Sequence, residues 1–104
     1  MTDAVIILCA CGNQDEALAI GNALIDARLA ACVNLLPPVQ SIYRWHGKVE
    51  NAQEILLIIK TTEEHFPTVR DRITKLHSYD TPEIIAIPVI NGSDKYLAWL
   101  RDQV

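Results

Sequence analysis

Three cysteines hold the most chemically suggestive spacing in this chain of 104 residues. Cys9 and Cys11 stand two apart in the apolar run Val5-Ile6-Ile7-Leu8-Cys9-Ala10-Cys11. Side chains alternate along an extended strand, so both thiols project from one face. A thiolate pair at that spacing can chelate a soft ion such as Cu(I). The competing structural reading is a pair of small buried hydrophobes, the ordinary behaviour of cysteine in an apolar strand. An odd set of three, with Cys32, fits a reducing cytoplasm better than a disulfide framework. His46 and His65 fall at a hairpin tip and in a helix's first turn, so both are expected at the surface. There is no GxSxG, phosphate loop or CxxC. With no nucleophile beside a base, enzymatic activity is not expected.

The elements that position these residues follow from length and patterning. The chain is the size of one domain, taken as residues 1–104, and half its residues are hydrophobic. A formal net charge of -4 argues against a nucleic-acid partner, which calls for a basic face. Met1-Thr2-Asp3 lacks a positive leader region, and the apolar run Ala4 to Ala10 is too short to span a bilayer. No membrane association is expected, and the location expected is cytoplasmic.

The first apolar run reads as a central strand ending at Gly12. Asn13 and Glu16 stand at capping-box spacing ahead of a helix whose inner stripe is Ala17, Ile20, Gly21, Leu24 and Ile25. A second strand begins at Ala31, meets Pro37-Pro38 and resumes at Val39. Two prolines cannot donate ladder hydrogen bonds, so they predict a bulge or bend within one arm. His46-Gly47 sits at a two-residue turn. The return arm is polar from Lys48 to Glu54 and apolar from Ile55 to Ile59. Thr61 and Glu64 stand at capping-box spacing for a second helix with inner stripe Phe66, Val69, Ile73 and Leu76, and Pro67 falls in its first turn. A strand over Glu83 to Ile90 and a helix capped by Ser93 or Asp94 complete the order β-α-β-β-α-β-α. That order is an α+β ferredoxin-like sandwich with an extra C-terminal helix.

The β2-β3 hairpin, residues 31–61, is over-long for such a domain. An arm of about 14 residues reaches about 45 Å. A globule of this length is about 34 Å across. The tip must project, and a lone ribbon carrying Ile42, Tyr43, Trp45 and Val49 needs a neighbour; the alternative is a hairpin that curls back over its own uncovered sheet face. Tyr43 and Trp45 are therefore expected at a subunit interface, with Lys48 and Glu50 as an interfacial ion pair that sets register.

Several segments resemble the CutA family, named for divalent-cation tolerance. They are Ala30-Ala31-Cys32-Val33-Asn34, Ser41-Ile42-Tyr43-Arg44-Trp45-His46-Gly47-Lys48-Val49-Glu50, Leu57-Ile58-Ile59-Lys60-Thr61, Tyr79-Asp80-Thr81-Pro82-Glu83-Ile84 and Tyr96-Leu97-Ala98-Trp99-Leu100. The resemblance implies a PII-like homotrimer with intersubunit sheets built by the hairpins, and a role in tolerance of copper and other divalent cations. It also implies a metal site at Cys9 and His77. Some family members bind metal through a cysteine late in the first strand and a His-His pair before Pro-Tyr. Here Leu76-His77 stands for the pair, and Ser78 replaces the proline. Tyr79, Asp80 and Glu83 would then line an intersubunit cleft with His77, or else form a polar turn into the last strand. The alternative function is a PII-like sensor or scaffold that binds a small anion, a nucleotide or a partner protein.

Overall fold

The computed structural model describes residues 2–104. Along the chain run β1 (Ala4–Cys11), α1 (Gln14–Asp26), β2 (Cys32–Leu35), β3 (Val39–Trp45), β4 (Lys48–Thr62), α2 (Phe66–Leu76), β5 (Ile85–Pro88) and α3 (Asp94–Gln103). β1 lies between β4 and β5, and β2 flanks β4, in the order β2-β4-β1-β5 with every pairing antiparallel. This is the expected ferredoxin-like arrangement.

Alternation along the two central strands divides the sheet into unlike faces. Val5, Ile7, Cys9 and Cys11 stand opposite Thr61, Ile59, Leu57 and Ile55, and all eight are buried. Ala17, Ile20 and Leu24 of α1 and Val69 and Ile73 of α2 close over them. The other face carries Ile6, Leu8, Leu56 and Ile58, continued by Ile87 and Ile85 of β5 opposite Ile6 and Leu8. α3 covers only one end of it, where Leu97 and Leu100 meet Ala4 and Val89. Ile85 and Ile87 stay exposed.

β2 and β3 both pair with β4. Leu35 stands opposite Leu57 and Val39 opposite Glu54, so four steps on one arm face three on the other. Pro37-Pro38 therefore occupy a one-residue bulge, as their missing N–H groups require. Trp45 pairs with Lys48 across His46 and Gly47, whose φ angles of 50° and 78° make the two-residue turn that matches strand twist. The hairpin gives the molecule a 44 Å long axis against 26 and 24 Å. Ile42 and Val49 are 69% and 64% exposed near its tip, with Tyr43 and Trp45 also exposed. Lys48 and Glu50 form no ion pair among the described residues.

Some local expectations are corrected. Thr61 and Glu64 form no capping box. Thr61 belongs to β4, and its buried hydroxyl donates to the Leu29 carbonyl at 2.7 Å. A 3-10 turn at Glu63–His65 leads into α2 instead, with Pro67 in the helix's first turn as expected. Ile25 and Leu76, near the C-terminal ends of their helices, face outward and are not part of the inner stripes. The last strand, Ile85–Pro88, is shorter than the expected Glu83 to Ile90, although Val89 N still donates to the Ala4 carbonyl at 3.0 Å. Ser93, not Asp94, caps α3, its Oγ accepting from Tyr96 N at 3.2 Å.

Candidate metal centre

β1 presents Cys9 and Cys11 to the helix-covered face, where both are fully buried free thiols. His77 reaches them from the end of α2. Its amide donates to the Ile73 carbonyl at 2.8 Å, and its extended backbone then turns the chain back toward β1. Two sulfurs and a ring nitrogen of His77 lie within 4.8 Å of one another, the one such cluster among the described residues. The expected pair, Cys9 and His77, is brought together, and Cys11 joins it. By donor chemistry, two thiols and an imidazole suit a soft or borderline ion such as Cu(I) or Zn²⁺.

The proton inventory of the cluster is specific. The neighbouring Cys11 thiol, with burial added, holds Cys9 far above the ordinary thiol range. Cys11 is lowered by the neighbouring Cys9 thiol, against the opposing pull of burial and the carboxylates of Glu16 and Glu54. The two thiols therefore titrate as a pair. His77 Nε2 lies 2.8 Å from the Ala10 carbonyl oxygen, and Tyr79 N donates to Nδ1 at 3.1 Å. A carbonyl only accepts and an amide only donates, so the ring is the neutral tautomer with its proton on Nε2. A metal at His77 must displace one of these two bonds. The sulfurs carry no such competing backbone bonds, so they are the better-fitting donors.

Glu16 was expected to complete a cap with Asn13. Asn13 Oδ1 does accept from Glu16 N at 2.8 Å. The Glu16 carboxylate instead accepts from Ser78 N, and from Ser78 Oγ at 3.0 Å, and stands 3.4 Å from His77 Nδ1. Ser78 thereby supplies an N–H that a proline at this position would lack.

Beyond Ser78 the chain passes to the other side of β1. The Tyr79 ring tilts against His77 at 4.7 Å between centroids. It crosses Gly12 so closely that a Cβ there would lie 3.1 Å from the phenol oxygen. Its hydroxyl donates to Glu54 Oε2 at 2.8 Å. Burial and that bond push the Tyr79 phenol above its ordinary value. Tyr79, Asp80 and Glu83 line a cleft of about 640 Å³ together with Tyr43, Trp45 and Glu54. Tyr43 and Trp45, expected at an interface, form one of its walls; Lys48, Glu50 and His77 do not line it. Glu54 is the residue that sequence reasoning misses: the polar run Lys48 to Glu54 reads as an outer arm, yet Glu54 is only 7% exposed. Its parity with Leu56 and Ile58 was the available sign.

A family model described as "CutA1 divalent ion tolerance protein" matches residues 5–103. The divalent-cation tolerance protein CutA of Thermus thermophilus is 45% identical over 97 residues, covering 93% of this chain and 94% of that protein. The chloroplastic CutA of Arabidopsis thaliana is 38% identical, and the match covers 95% of this chain but 54% of the plant protein. The crystal structure of CutA from Xylella fastidiosa superposes with a TM-score of 0.95 at 41% identity, covering 98% of each chain. With the fold, the hairpin and these matches in agreement, the chain belongs to the CutA1 divalent ion tolerance family.

Proposed function

We propose that this protein contributes to divalent-cation tolerance by binding soft or divalent metal ions, copper foremost, at Cys9 and Cys11 with His77 beside them. The observation that carries this reading is the convergence of the three donors within 4.8 Å on one face of β1. The metal is cargo, and the chain's part is to offer sulfurs in a buried, water-poor place. Loading releases thiol protons, because the thiolate is the ligand.

The working form is a homotrimer. The half-open apolar sheet face and the exposed hairpin residues Ile42 and Val49 support it. Three free cysteines support a reducing, cytoplasmic setting, and no helix among the described residues is long and apolar enough to cross a membrane. An anion or nucleotide sensor finds little support, because no lysine or arginine lines the cleft.

Calorimetric titration with copper under reducing conditions tests the metal reading. Wild type should bind saturably, and Cys9→Ala and Cys11→Ser should each lose most of that binding while keeping native circular dichroism. Equal binding by all three proteins would remove the thiol pair from the site.

A further inference from the structure

The cleft on the opposite face of β1 has a composition of its own. Its charged lining residues are Glu54, Asp80 and Glu83, with no cationic side chain among the residues that line it. Glu54 is 93% buried, and Tyr79 Oη is its one hydrogen-bond partner among the described residues. The second carboxylate oxygen has no protein partner, yet it is not sealed away from solvent. A carboxylate has acceptor sites for several donors, so this oxygen is free to accept from a ligand in the cleft. A positive ligand in the cleft would supply what the protein does not.

The shape of the site selects the kind of cation. The carboxylates of Glu54, Asp80 and Glu83 do not converge closely enough to chelate one small ion; the single close cluster among the described residues is the cysteine–histidine group. Three aromatic side chains, Tyr43, Trp45 and Tyr79, line the same space. Aromatic faces attract ammonium and guanidinium groups and cover apolar carbon equally well. A volume of about 640 Å³ is in the size range of small-molecule sites.

We propose that this cleft binds a small organic cation, an ammonium or guanidinium group on an organic frame, with Glu54 as its counter-charge and Tyr43, Trp45 and Tyr79 as its aromatic walls. This site is separate from the cysteine cluster, since Cys9 and Cys11 face the helices and Ala10, between them, lines the cleft.

Titration of the ¹⁵N-labelled full chain in its native assembly tests it. Benzylammonium and guanidinium chlorides serve as probes, benzoate as the charge-reversed control and Mg²⁺ as the small-ion control. The Trp45 indole and Tyr79 amide resonances should shift saturably with both organic cations and not with benzoate or Mg²⁺. Glu54→Gln should weaken benzylammonium about tenfold. Asp80→Asn, an exposed change that leaves the core alone, should weaken it less and serves as the second test if Glu54→Gln folds poorly. Cys9→Ala should bind the cations as wild type does, which separates this site from the metal reading. Equal response to benzoate, response to Mg²⁺ alone, unchanged affinity in both carboxylate variants, or no response because a second copy's side chains fill the cleft would each overturn the proposal.

Discussion

His77 Nε2 lies 2.8 Å from the carbonyl oxygen of Ala10, a bond that ties the loop after α2 to the central strand. β5 pairs with β1 only as far as Leu8, so the imidazole takes over where that ladder stops. The same ring accepts the Tyr79 amide. His77→Ala would leave both backbone groups without partners and open a buried cavity. The expected loss is about 2–4 kcal/mol in denaturant unfolding. His77→Gln, which can restore one bond, should lose less. Identical unfolding midpoints for wild type and His77→Ala would show that the loop is held elsewhere.

Tyr79 makes stability depend on alkaline pH. Its folded phenol is raised above the ordinary value, first by burial and then by the Glu54 bond. Above about pH 10 the unfolded chain gives up this proton while the folded chain keeps it. The contribution is therefore complete below the ordinary tyrosine value and is lost as pH rises toward the raised folded one. Melting temperature should fall more steeply above about pH 10 in wild type than in Tyr79→Phe. At neutral pH the variant should be about 1–2 kcal/mol less stable, because Glu54 loses its donor. Parallel pH profiles for the two proteins would contradict this account.

The hairpin turn offers a test of backbone conformation. Gly47 has φ of 78°, and a Cβ there would meet nothing within 4 Å. Gly47→Ala should therefore cost only the left-handed conformation, about 1–2 kcal/mol. His46 holds φ of 50°, a left-handed conformation that asparagine adopts more readily than other side chains. His46→Asn, which places Asn-Gly in the turn, should raise the melting temperature. If both substitutions left stability unchanged, the outer hairpin would be unfolded before the global transition.

The fold was legible because its strands and helices state their periods plainly. The continuous run at β1, the helical stripes and His46-Gly47 left one topology standing, and the projecting hairpin followed from arm length alone. Pro37-Pro38 even gave the bulge, since a missing N–H is a local fact. What escaped was long-range. Glu16 and Glu54 look like surface acids in their own segments, and only the return of the loop at residues 77–79 gives each its partner. The Thr61–Glu64 spacing satisfied a local rule that strand pairing overrode, because Thr61 is held opposite Val5 in the sheet. Cys9 and His77 were linked by family resemblance rather than by spacing, and the structure adds Cys11 at the same point.

The proposed homotrimer rests on surface that one chain leaves uncovered. Ile85 and Ile87 extend an apolar sheet face that α3 covers only at one end, and Ile42 and Val49 continue the exposure along the hairpin. Light scattering should give three times the 11.6 kDa chain mass. Ile42→Glu with Val49→Glu charges the outer arm, while Ile58→Asp charges the sheet face between β1 and β2. If both surfaces are interfacial, each change should lower the assembly mass at a given concentration, and the sheet-face change should do so more strongly because its charge is more deeply desolvated. A hairpin variant that stays fully assembled would limit the interface to the sheet face and leave the projecting arm for another partner. A wild-type protein that runs as a monodisperse monomer would reject the trimer altogether, and the long hairpin would then have to be stable without a neighbour.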